Sequence, residues 1–151
     1  KKAFELYGKL DPEVQLKDVA AAFEFAKKTA GSAVGVVGYC YGGLMSWVTA
    51  TRGESLKVQP ACCVCYYPGG IGKYANEEPS CPVMIHVGAD DKHIGPEQVK
   101  PVEMAHPEVE VFIYEGADHA FNRDADPAKF RETAARLARK RTLEFLRTNV
   151  G

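Results

Sequence analysis

Three short apolar runs constrain this chain more than any other feature: SAVGVVGY (32–39), VQPACCVCYYP (58–68) and CPVMIHVGAD (81–90). None carries a charge before its last residues. Continuous apolar runs of this length read as strands buried on both faces. VEVFIYEGAD (109–118) is a fourth strand, in which Val109, Val111 and Ile113 alternate with Glu110 and Phe112. Helical patterns lie between them. DPEVQLKDVAAAFEFAKKTAG (11–31) has Asp11 as N-cap, Pro12 at the first helical position and Gly31 as its stop. Val14, Val19, Phe23 and Ala26 fall near one face of it. GGLMSWVTATRG (42–53) reads as a helix ended by Gly53, and GPEQVKPVEMAH (95–106) as a short one broken near Pro101. DPAKFRETAARLARKRTLEFLRTNV (126–150) reads as a long amphipathic helix capped by Asp126, with Phe130, Leu137, Phe145 and Leu146 as its buried stripe.

Alternating strands and helices predict an α/β fold, a parallel sheet covered by helices, in a single domain spanning 1–151. The 151 residues, 46% hydrophobic, suffice for one core. A net charge of −1 with dispersed basic residues argues against nucleic-acid and membrane-surface partners. No apolar run approaches the roughly 20 residues of a membrane helix. The opening KKAFELYGKL has no apolar signal core. Five cysteines, three of them in ACCVC, make a poor disulfide framework. Reduced thiols in the cytoplasm are expected instead.

In parallel sheets, ligands bind beyond the carboxyl ends of the strands. Cys40, Asp90, Asp91 and His119 all fall there. Gly38-Tyr39-Cys40-Tyr41-Gly42 has the spacing of a nucleophile elbow. Both glycines are expected to let neighbouring elements approach the turn. The strained elbow lifts the thiol clear of the sheet, and the following helix aims its N-terminus at the site. A thiolate nucleophile needs a base, and the base needs an orienting acid. His119, after the last strand, is the candidate base. Asp91 is favoured over its neighbour Asp90 as the acid, because it stands third after Gly88. The other histidines read as structural: His86 in the core, His93 in a loop, His106 on the surface before Pro107. Cys62 and Cys65 form a C-x-x-C, but on a strand they face opposite ways. No metal and no cofactor are expected.

GYCYGG, GADD and GADHAFNR, in this order, resemble the dienelactone hydrolase family, a cysteine branch of the α/β-hydrolases. The resemblance extends over nearly the whole chain. It implies hydrolysis of a lactone or ester bearing a carboxylate, with Cys40 as nucleophile, His119 as base and Asp91 as orienter. The Tyr41 amide would be what remains here of the oxyanion hole. Arg123 would bind the substrate carboxylate, and Phe4 and Tyr7 would line the pocket. The family's enzymes are longer than this chain, which matches their C-terminal part. Early strands, one oxyanion amide and a thiol-activating glutamate have no counterpart in it. A second chain or self-association is therefore expected to complete the sheet.

Overall fold

The computed structural model describes residues 2–151, without the side chains of Ala3 and Phe4. Two helices lead the chain, α1 (Lys2–Tyr7) and α2 (Pro12–Ala30). Then follow β1 (Gly35–Tyr39), α3 (Tyr41–Arg52), β2 (Cys62–Tyr66), β3 (Val83–Gly88), α4 (Pro96–Ala105), β4 (Glu110–Tyr114) and α5 (Glu132–Val150). The four strands form one parallel sheet in the order β1-β2-β3-β4.

The ends of α2 follow from its sequence. Asp11 is extended and accepts a hydrogen bond from the Glu13 amide at 3.0 Å, Pro12 opens the helix, and Gly31 closes it at φ 63°. Leu16 and Phe23 are buried, whereas Val14, expected on the same face, is exposed. Every residue of α3 from Gly43 to Ala50 is buried. Such all-round burial suits a helix between the sheet and another helix, and α2 packs against α3.

Two hydrophobic clusters flank the sheet. Trp47, Val48, Cys63, Cys65, Ile85 and Val102 belong to one. Cys62, Val64, Tyr66, Tyr114, Phe121 and Ala138 belong to the other, under α5. Cys62 and Cys65 thus serve opposite faces, as strand alternation requires.

Several expectations need correction. Asp126 does not cap α5. Its carbonyl accepts the Lys129 and Phe130 amides in a separate turn. The Arg131 amide is then taken by the Phe121 carbonyl at 2.8 Å, which diverts the chain, and α5 starts at Glu132. The buried stripe of α5 is Ala134, Ala135, Ala138, Thr142 and Phe145, and Leu137 is exposed. Small residues are needed because the facing layer is built of rings, those of Tyr66, His86, Phe112, Tyr114 and Phe121. α4 runs unbroken through Pro101, which sits on its exposed face. His106 is buried rather than on the surface. β2 and β3 are buried throughout, but β1 is an edge strand with Val37 and Tyr39 exposed.

Candidate active site

The turn from β1 into α3 is made at Cys40, at φ 55° and ψ −117°. A non-glycine residue there costs on the order of 1–3 kcal/mol, so both sides must hold it. The Cys40 amide donates to the Tyr66 carbonyl at 3.0 Å, extending the ladder between β1 and β2. The Cys40 carbonyl accepts the first helical bond, from Leu44, at 3.2 Å. Gly38 makes the turn possible, because a Cβ there would land on the Gly42 carbonyl. The second close approach belongs to Gly43, whose Cβ would sit 2.6 Å from the Tyr66 carbonyl oxygen. A Cβ on Gly42, by contrast, meets open space, so Gly42 does not have the packing role its place in the motif suggested.

The loops after β3 and β4 meet through a second glycine. A Cβ on Gly88 would collide with the Ala117 carbonyl. At this contact the Ala89 amide donates to the Tyr114 carbonyl and the Asp90 amide to the Ala117 carbonyl, both at 2.9 Å. Asp91 and His119 are brought together as a result. Asp91 Oδ2 lies 2.8 Å from His119 Nδ1. Its Oδ1 accepts the His93 amide at 2.9 Å and the Ile94 amide at 2.8 Å. Asp91 is buried and Asp90 exposed, so the carboxylate that faces the imidazole is Asp91. Asp118 accepts the His119 backbone amide at 2.7 Å and pairs with Lys129 at 2.7 Å, which fixes the loop from the other side.

Interaction with the His119 side chain chiefly lowers the Cys40 pKa, against the opposing effect of burial. The Tyr41 amide also favours the sulfur anion. His119 is raised in turn, first by interaction with Cys40 and then by the Asp91 hydrogen bond. Cys40, His119 and Asp91 therefore stand in series, with the thiol shifted down and the imidazole up. The other strand cysteines go the opposite way. Burial pushes Cys62 up to about 11 and raises Cys65 further.

Tyr67, which sequence reasoning did not single out, stands against this group. Its ring meets that of His119 edge-on at 4.8 Å, its φ is 36°, and its hydroxyl donates to Asn122. Its place at the carboxyl end of β2 was a usable signal. Tyr7 packs edge-on against Tyr41 at 5.7 Å. Together with Gly69, His93 and Ile94 they line a cleft of about 540 Å³ beside the Asp91 loop. Arg123 stands apart on the turn after His119, exposed, with its guanidinium 3.9 Å from Asp126. Phe4 lies on α1, and its side chain is outside the described residues. Nothing in Cys40, His119 and Asp91 gathers further metal ligands. Among the described residues, one group of side chains has metal-ligand spacing, and it lies elsewhere.

Comparison with known proteins gives a consistent picture. The carboxymethylenebutenolidase of Pseudomonas putida is 31% identical over 151 residues, covering 95% of this chain and 61% of that protein. Carboxymethylenebutenolidase 1 of Cupriavidus pinatubonensis is 29% identical over 152 residues, covering 95% and 62%. This chain thus spans about 61% of the length of the first of these relatives. A crystal structure from Klebsiella pneumoniae, provisionally named a dienelactone hydrolase, superposes with a TM-score of 0.80 at 24% identity, over 91% of this chain and 62% of that one. That likeness, below a quarter identity, speaks to the fold, which is that of the α/β-hydrolases. The family description "Dienelactone hydrolase family" matches residues 1–150, and the chain belongs to that family.

Proposed function

We propose that this chain carries the thiol site of a hydrolase for lactones or activated esters that bear a carboxylate. The observation that carries the reading is Asp91 Oδ2 2.8 Å from His119 Nδ1, with the Cys40 thiol at the strained elbow lowered and the imidazole raised by their mutual interaction. In this reading the Cys40 thiolate attacks the acyl carbon and the carbonyl π pair moves onto oxygen. The Tyr41 amide, at the start of α3, faces the developing oxyanion. Collapse breaks the bond to the ring or leaving oxygen, which takes a proton from the His119 imidazolium. A thioester remains on Cys40. His119, now neutral, takes a proton from water as the water attacks the thioester. The second collapse releases the carboxylic acid and regenerates the thiolate. Asp91 holds the imidazole with Nδ1 protonated, leaving Nε2 for these transfers.

The substrate class rests on the relatives, whose name denotes a butenolide ring with a carboxymethylene arm. Arg123 is the assigned partner of that carboxylate, through a bidentate guanidinium contact. Phe4 and Tyr7 are assigned to the apolar wall of the pocket. A thiolate nucleophile implies a reducing compartment, hence the cytoplasm, and all five cysteines are free thiols. The open edge of β1 is assigned to pairing with a further strand, from another chain or another copy.

The deciding experiment is hydrolysis of a carboxylate-bearing butenolide and of a neutral aryl ester by the chain and by its Cys40→Ala variant. Turnover of both that is lost in Cys40→Ala supports the reading. Arg123→Gln should raise KM for the butenolide and leave the neutral ester little changed. No turnover of either substrate by the chain favours the rival reading, a binding fragment that keeps the outline of the site. Turnover kept or increased in Cys40→Ser favours a serine-type esterase site in which the cysteine is a tolerated replacement.

A further inference from the structure

Away from the strand ends that carry Cys40, a second cluster of polar groups gathers at the opposite end of the sheet. His106 follows α4, Glu108 lies just before β4, and Glu78 lies in the segment leading to β3. One ligand atom from each falls within 4.8 Å of the other two. The imidazole is the buried member, 4% exposed, and the carboxylates are on the surface.

The orientation of the ring decides what this cluster can do. His106 Nε2 lies 2.9 Å from the Ala75 carbonyl oxygen. A carbonyl oxygen only accepts, so Nε2 carries the hydrogen. In the neutral ring Nδ1 then presents a lone pair. Nδ1 lies 3.4 Å from Glu108 Oε1 and 4.0 Å from Glu78 Oε2. Three electron-rich atoms thus lie together, with the ring held from behind by Ala75. Metal-bound histidines are typically held in this way, by a carbonyl on the nitrogen that does not bind the ion. Trp47, 5.6 Å from the His106 ring, fixes the other side.

We propose that Nδ1 of His106 and one carboxylate oxygen each from Glu78 and Glu108 bind one divalent transition-metal ion of the zinc class. Bonds of about 2.0–2.2 Å to such an ion suit ligand atoms a little over 3 Å apart. The His106–Glu108 pair already has that spacing. Glu78, 4.0 Å from Nδ1, has to move inward, and its exposed side chain can do so without disturbing the core. One imidazole nitrogen with two carboxylate oxygens selects zinc, cobalt or nickel over magnesium and calcium, which take oxygen throughout. Three protein ligands leave a position for water. The ion would staple the segment after Tyr74 to the turn between α4 and β4.

Trp47 is the only tryptophan in the chain, so its fluorescence reports on this site. The probe is cobalt(II), titrated into the intact chain while fluorescence and visible absorption are recorded. Saturable quenching by one ion per chain is expected. Glu78→Gln and Glu108→Gln, both surface changes that leave the fold intact, should each weaken binding by about tenfold or more. Zinc should displace the cobalt and raise the melting temperature of the parent but not of the double variant. Two results overturn the proposal: no saturable quenching at millimolar cobalt, or binding that both glutamine variants retain with a thiolate-to-cobalt absorption band.

Discussion

Asp91 uses both carboxylate oxygens: Oδ2 lies 2.8 Å from His119 Nδ1, while Oδ1 holds the His93 and Ile94 amides. The carboxylate that faces the imidazole is thus fixed by its own loop. In the proposed role of Asp91, Asp91→Asn removes the charge beside the imidazole and the acceptor that sets its tautomer. In the proposed reaction kcat should fall about 10²–10⁴-fold, as when other catalytic histidines lose their acid. Asp90→Asn, on the exposed neighbour, should change kcat little. Steady-state rates of the two variants on one ester test this, and equal losses would remove Asp91 from its assigned role.

Thiol reactivity should follow environment. Cys40 is lowered by His119, so its alkylation should continue to lower pH than that of an ordinary thiol, which titrates at about pH 8.5. His119→Gln should move that profile upward. Cys81 is the second thiol to watch, because it is partly exposed and lowered by a hydrogen bond with Cys63, 3.9 Å away. Cys62, Cys63 and Cys65 are buried and raised. Limiting iodoacetamide with peptide mapping across pH gives the order. Native labelling of Cys62 ahead of Cys40 would contradict it.

The two motif glycines should behave differently. Gly38→Ala puts a methyl into the Gly42 carbonyl, a backbone group that cannot swing away, and 2.6 Å from the Ser46 hydroxyl. A loss of about 1–3 kcal/mol or more is expected. Gly42→Ala meets open space within α3, where alanine is favoured over glycine by about 0.5–1 kcal/mol. Thermal melts should therefore move in opposite directions. Equal destabilisation by both would refute the asymmetry.

Much of this site was legible in the sequence because its signals are local. The motifs around Cys40, Asp91 and His119 can each be read within a few positions, although Tyr66 and the Gly88–Ala117 contact hold them in place. What was not legible depends on distant partners. Asp126 looks like a helix cap, and only the Phe121 carbonyl taking the Arg131 amide postpones α5. Leu137 fits the helical period, but the ring layer opposite selects the alanine face. His106 precedes a proline, as a surface residue often does, yet Trp47 and Ala75 bury it. Gly42 and Gly43 differ only in which one faces Tyr66.

His86 makes the fold sensitive to acid. It is fully buried, with Nδ1 2.9 Å from the Tyr114 hydroxyl and Nε2 3.0 Å from the Thr142 hydroxyl. Burial, reinforced by Arg141, holds its pKa down at about 3, against about 6.5 when unfolded. The unfolded chain therefore binds the extra proton first. Stability from this group is complete above pH 6.5 and is lost as pH falls toward 3, by about 1.4 kcal/mol per unit. His119, raised when folded, has the opposite sign: its contribution is present in acid and is lost as pH rises through its folded pKa. Urea unfolding of the parent and of His86→Gln, which share His119, isolates the His86 part. The difference in stability between the two should shrink as pH falls from 7 to 4, and a difference independent of pH would show that His86 does not titrate in this way.

The β1 edge leads to a prediction about assembly. Among the described residues, β1 pairs with β2 alone, on one side. Its composition is that of a central strand, without charge or proline to blunt the free side, and Val37 and Tyr39 are 37% and 49% exposed. Both line a groove of about 540 Å³ in which Phe130, Leu143 and Leu146 alternate with Arg136, Arg139 and Asp124. Unpaired amides on an uncharged strand favour the addition of another strand. The isolated chain should therefore self-associate at micromolar concentration when no strand is supplied by another chain. Val37→Lys places a charge on the exposed side of β1, the device by which natural edges resist pairing, and should shift the population toward monomer while α/β circular dichroism is retained. Static light scattering on both proteins decides it. A monodisperse parent monomer with a cooperative melt would show that the four-stranded sheet is sufficient with its edge open.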